Sequence, residues 1–246
     1  MNNRVWPLLR KELLQVRRSR GALISGTLLP LLLMIVMPMM QLGSLRTLPD
    51  QSLRLNGGTG PLPADFTRPD HVLTRFLLPL LIAVTGLIAP SVAAAYTVVA
   101  EHERRTLDLL VALPVRVGDV LLAKLLAVLA LSACVVVPLF VVDAAAVLWL
   151  GLAGPLDVAE LALVLLAAMV CSLGESLLLA LLARDLRTTN NLNGALLAPI
   201  TLAIVAILLV APAPARLPAV AGMLLLAATF AFATAWRFLS FERYLS

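Results

Sequence analysis

Apolar residues run through this chain in long unbroken blocks, separated by short polar or charged stretches. A helix needs about 20 apolar residues to cross the hydrocarbon of a bilayer. Blocks of that order predict spans over about Leu23 to Met40, Phe76 to Ala100, Val120 to Leu150, Val158 to Leu182, Leu192 to Val210 and Val220 to Phe238. No series of alternating segments about ten residues long, the mark of a membrane barrel, is present. The expected fold is an all-α polytopic membrane protein of six transmembrane helices. The third block is longer than a bilayer requires and contains Pro138 and Asp143, so it is expected to kink, tilt or run past the membrane. Pro199 predicts a second kink, in the fifth span.

The interruptions differ in character. Residues 1–20 place Val5, Trp6, Leu9, Leu13 and Val16 on one helical face and Arg10, Lys11, Arg17 and Arg18 on the other, the pattern of an amphipathic helix lying in the membrane interface. A charged start before an apolar run also describes a signal peptide, but the run is long and Met34, Met37, Met39 and Met40 make a poor cleavage region. The segment is expected to be retained. Residues 21–246 then form one transmembrane domain. Within it, residues 41–75 read as an external loop, irregular around Asn56-Gly57-Gly58-Thr59-Gly60-Pro61. Residues 101–119 carry Glu101, His102, Glu103, Arg104 and Arg105 ahead of Thr106-Leu107-Asp108-Leu109-Leu110-Val111-Ala112-Leu113-Pro114. Thr106 can cap a short helix there, Asp108 suits its electropositive first turn, and Pro114 ends it. Leu107, Leu110 and Val111 form one apolar edge at helical spacing, fit to insert into a cleft on a partner. Asp119 is placed to cap the third span, and Lys124 one turn on can snorkel to the interface.

Composition agrees with the pattern. At 61% hydrophobic, 13% charged and mean hydropathy +0.99, there is too little polar surface to cover a soluble globule. With a cytoplasmic N-terminus, the inner side takes Arg4, Arg10, Lys11, Arg17, Arg18, Arg20, Arg104, Arg105, Arg116, Lys124, Arg184, Arg187, Arg237 and Arg243, fourteen of the nineteen lysines and arginines. The positive-inside rule therefore puts both termini in the cytoplasm, on the inner (plasma) membrane. The net charge of +5 reflects this topology and contact with anionic lipid; it does not call for nucleic acid.

Several chemistries are missing. No Gly-x-x-x-x-Gly-Lys-Ser/Thr stretch occurs, so the chain has no P-loop for ATP phosphates, and His71 and His102 make no His-Glu-x-x-His zinc site. No catalytic, metal or cofactor site is expected. Gly174-Glu175-Ser176 lacks the flanks of a nucleophile elbow. Cys134 and Cys171 fall inside spans and read as small buried hydrophobes.

The stretch from Glu101 through Pro114 to Asp119 and Lys124 resembles the signature of ABC-2 type transporter permeases: a glutamate-rich start, a Gly-Thr-Leu-Glu-like core, a leucine pair, a proline and a small residue followed by lysine. Here Arg105 stands where glycine is usual and Asp108 where glutamate is usual. The Ala183-Arg184-Asp185 and Thr188-Thr189-Asn190-Asn191 stretches are similar to the sodium-export and multidrug-export-like branch, with a heme-exporter-type permease as the nearest rival. The resemblance implies a permease subunit, itself no enzyme, that exports substrate using ATP and Mg bound by a separate ABC ATPase present in two copies. It implies a homodimer, or a heterodimer with a homologous permease, in membrane lipid. Thr106, Leu107, Leu110 and Val111 would dock the ATPase, with Glu101, Glu103, Arg104 and Arg105 as a charged hinge and Asp108 and Pro114 shaping the helix.

Glu175 is the carboxylate farthest from any span end, and a charge there must be paired, protonated or wet. It is a candidate for the transport pathway or for a structural hydrogen bond. Asp143 stands nearer an outer end that can reach water. Two other classes remain open on the residues alone: a non-transporting membrane scaffold, and an intramembrane enzyme using Glu175, Ser172 and Ser176.

Overall fold

The computed structural model describes residues 27–40, 69–94, 117–182 and 186–245, and every extended element among them is helical. We label the helices α1 (Thr27–Met40), α2 (69–94), α3 (Val117–Trp149), α4 (Pro155–Leu182), α5 (Leu186–Val210) and α6 (Arg216–Leu245). Among the described residues, five helices are long and apolar enough to cross a membrane; α1 is shorter, and residues 23–26 of the expected first span lie outside the described residues.

Apolar length explains where the helices lie but not where they end. Helix α2 begins at Pro69, ahead of the expected Phe76, and carries Asp70, His71 and Arg75 in its first turns. Proline suits a first helical position, so the helix continues into polar residues that hydropathy does not register. Helices α5 and α6 likewise extend to Leu186 and Leu245. Helix α3 is 33 residues long and continuous through Pro138, or about 50 Å at 1.5 Å per residue. That exceeds a hydrocarbon core of about 30 Å, so the helix tilts or protrudes. It is already helical at Val117, which puts Asp119 inside its first turn rather than at the cap.

The connections between α3 and α4 and between α5 and α6 are short and locally encoded. After α3, Gly151 takes φ +64°, Gly151 N–H donates to Leu148 O and Leu152 N–H to Val147 O. This is a Schellman closure, which calls for a residue tolerant of left-handed geometry. Pro155 then opens α4, and Gly154 N–H donates to Asp157 Oδ2 at 2.8 Å, the reciprocal arm of a capping box. Between α5 and α6, buried Arg216 donates from Nε to Ala211 O at 2.9 Å, satisfying a carbonyl beyond the last turn of α5.

Helix α4 is the hub. It packs most extensively on α6 and α2, while α3 and α5 lie outside and α1 packs on α2 and α3. Because lipid tails are as apolar as leucine, association here depends on close fit rather than on escape from water. Leu78 shares a cluster with Leu161, and Ala93 with Leu173, so α2 and α4 run side by side in the same direction. A third cluster joins Ala83 and Leu87 of α2, Val164 and Ala168 of α4, Ile204 of α5 and Leu224 of α6.

Two glycines set the closest approaches. A Cβ at Gly86 would stand 2.8 Å from Ala168 Cβ and 3.1 Å from Leu165 O, and one at Gly174 would stand 3.0 Å from Ala231 Cβ. Gly86→Val is therefore expected to push α2 off α4 and cost about 1–3 kcal/mol. Gly222→Ala, where no atom lies within 4 Å of the new Cβ, serves as the control. Thermal unfolding in lipid discs checks this: a fall in Tm for Gly86→Val but not Gly222→Ala is the expected result.

Three expectations for individual side chains are corrected. Asp143 is buried, not at a wet helix end, because Leu139 and Val147 one turn to either side pack into the seam with Met34 and Leu78. Lys124 is buried too, near the Val128 cluster, rather than laid along an open surface. Cys134 is exposed because it lies on the outward face of α3; Cys171 is buried as expected.

Candidate functional site

Helices α2, α4 and α5 meet in a polar seam. Ser172 of α4 donates its hydroxyl to Leu87 O of α2, which fixes the register of these two parallel helices. One turn further along each, Ser176 and Ser91 come to the same level, since residues four apart share a helix face. Ser91 Oγ donates to Ile88 O at 2.8 Å and accepts from Asn193 Nδ2 of α5 at 3.2 Å. Polar side chains of three helices thus gather at one depth.

Glu175 adjoins this level and is 3% exposed. Its Oε1 accepts a long hydrogen bond from Cys171 Sγ, 3.8 Å away on the preceding turn. Its Oε2 has no hydrogen-bond partner. Neither has Ser176 Oγ nor Asn193 Oδ1, although all three atoms are buried. Unsatisfied buried polar atoms are uncommon because each carries a desolvation penalty. Two of the three are on neighbouring residues of α4 and the third is near the start of α5. The remaining such atom among the described residues is Asp143 Oδ2, in the seam of α3 with α1 and α2.

Helix α5 presents one face to the outside of the bundle. A Cβ at Gly194 would meet nothing within 4 Å, and Leu202 and Val210 are exposed. Pro199, expected to kink α5, stands within a continuous helix.

Of the residues singled out in the sequence, Glu175 is buried on α4, next to Ser176. Glu101, Glu103, Arg104, Arg105, Thr106, Leu107, Asp108, Leu110, Val111 and Pro114 lie outside the described residues. The sequence reading missed Ser91 and Asn193 altogether, and it took Ser172 and Ser176 only as partners in possible enzyme chemistry. Asn193 did carry a signal: it stands at the polar start of an apolar helix, where an amide needs a partner.

A family model for ABC-2 type transporters matches residues 3–209. The chain belongs to the ABC-2 type transporter family. The match runs from the N-terminal segment almost to the end of α5 and includes residues 101–119, Glu175 and Asn193. It supports the family as a whole and does not divide its branches. A search of curated proteins found no match. As a member of the ABC-2 family, the protein is an integral membrane permease subunit of a transporter.

Proposed function

We propose that this ABC-2 permease exports substrate from the cytoplasm across the inner membrane, driven by a separate ABC ATPase. The observation that carries the reading is the family match across residues 3–209 in a chain without a P-loop. Two permease subunits, identical or homologous, form the pathway, and two ATPase subunits bind ATP and Mg. The helix proposed over Thr106 to Val111 seats Leu107, Leu110 and Val111 in the ATPase, with Glu101, Glu103, Arg104 and Arg105 orienting it from the rim. ATP-driven closure of the ATPases favours an outward-open permease, to the extent that the two states differ in their contacts with the partner. In this reading Glu175, buried on α4, lines the pathway.

This reading requires both termini and residues 101–119 to be cytoplasmic and residues 41–68 to be external, as the arginine distribution indicates. Single cysteines introduced into a background lacking Cys134 and Cys171 test it. An impermeant maleimide added to intact cells is expected to label position 57 and to spare position 105. Labelling of position 105 from outside would overturn the orientation.

A further inference from the structure

We infer that α2 bends at residues 86–90 when the ATPases close, with Ser172 and Asn193 as positioning residues. Ser172 holds the fixed side of the bend, and Asn193 makes a clasp through Ser91 that parts on the moving side. The inference rests on the permease reading and carries its drive from the proposed docking helix into the bundle. Pro90 stands inside a continuous α2 and has no N–H to return to Gly86 O. Proline, and glycine one turn away, are where helices bend. Pro138 and Pro199 lie on exposed faces of α3 and α5, whereas Pro90 is buried at the level where side chains of α4 and α5 bond to α2.

Opening a turn within a bilayer is costly when it leaves a carbonyl without a donor. Here Leu87 O already accepts from Ser172 Oγ of α4, and Ile88 O from Ser91 Oγ. Both carbonyls therefore keep a donor if the turn opens. The two sides of Pro90 are also held unequally. On the outer side Leu78 and Ile82 belong to one large apolar cluster, Ala83 and Leu87 to another, and Gly86 lies against Ala168. On the inner side Ala93 and Ala94 pack with Val128 and Leu173, offering one methyl group each. Ser91 adds the hydrogen bond from Asn193 Nδ2 at 3.2 Å. Ile204 and Leu208 are the buried anchors of α5 among its described residues, and both stand in its outer half, away from Asn193. Residues 95–116 join the inner end of α2 to α3 and include the proposed docking helix. A pull on that helix thus reaches the weakly held side of Pro90 first, and the Asn193–Ser91 bond is the polar tie it must break.

The test is state-dependent cross-linking in the permease–ATPase complex in lipid discs. The pair Ser91→Cys and Asn193→Cys, in a background lacking Cys134 and Cys171, is bridged with the reducible reagent methanediyl bismethanethiosulfonate. Bridging is expected in the nucleotide-free complex and should slow at least fivefold when Mg-ATP and vanadate trap the closed ATPases. The bridged complex should lose ATP-driven transport at least tenfold and recover it on reduction. Two variants of the otherwise unchanged chain give a second measurement. Pro90→Ala, which restores an N–H for Gly86 O, should keep or raise Tm yet lower the kcat of transport at least tenfold with KM unchanged. Pro90→Gly, which still bends, should lower Tm and retain most of the transport. A packing role alone predicts the opposite ranking, with activity following Tm. Equal bridging rates in the two states, transport by the bridged complex, or full transport by a folded Pro90→Ala protein would each overturn the bend. A complex that couples hydrolysis to transport with any of these results loses the bend and remains a permease. A chain that joins no ATPase removes the permease reading and the bend with it.

Discussion

Leu110→Asp is expected to reduce recovery of the ATPase with the permease at least tenfold. The substitution puts a carboxylate on the proposed apolar edge of Leu107, Leu110 and Val111, where docking would desolvate it without a counter-charge. An unpaired buried charge of this kind costs about 3–5 kcal/mol. Alanine at Arg104 or Arg105 should be much milder, because charges at the rim of an interface chiefly steer association and orientation. The contrast is diagnostic: co-purification should collapse for Leu110→Asp and survive both arginine variants, which should show reduced substrate-stimulated hydrolysis. Normal complex yield and normal coupled activity with Leu110→Asp would exclude this helix as the main docking element.

Glu175→Leu should abolish coupled transport while leaving the protein folded. Leucine removes the carboxylate and the acceptor for Cys171 Sγ, and an apolar side chain suits the neighbouring packing, so the bundle is expected to hold. Glu175→Gln keeps shape and one acceptor and should retain a small part of the activity. A structural role alone predicts the same order of damage but with loss of Tm tracking loss of activity. Normal transport by a folded Glu175→Leu protein would remove Glu175 from the pathway and from any essential contact in the bundle.

The sequence revealed the helices because a bilayer imposes a minimum apolar length, and blocks meeting it stand out against sparse charges. Helix ends were less legible for the same reason. Pro69, Leu186 and Leu245 lie where the chain stays helical after its composition turns polar. Glu175 was legible alone, since an isolated carboxylate in an apolar span is a conspicuous cost. Its companions were not. Serine is common in apolar helices, where it often returns its hydroxyl to its own backbone, as Thr85 and Ser132 do here. Only the fold shows that Ser172 instead crosses to Leu87, or that Asn193 reaches Ser91 across 102 positions. Gly86 was visible as one small residue among many; its contact with Ala168 distinguishes it. Asp143 misled because depth was judged from distance to a helix end, whereas burial follows from which helices pack on that face.

The most direct test of the central claim is ATP hydrolysis by purified components in lipid. The permease alone is expected to hydrolyse no ATP. Mixed with its ATPase and Mg-ATP it should form a stable complex whose hydrolysis rises with transported substrate and whose vesicles move that substrate in the outward sense. Hydrolysis by the isolated permease, or a permease that transports without any ATPase, would contradict the account.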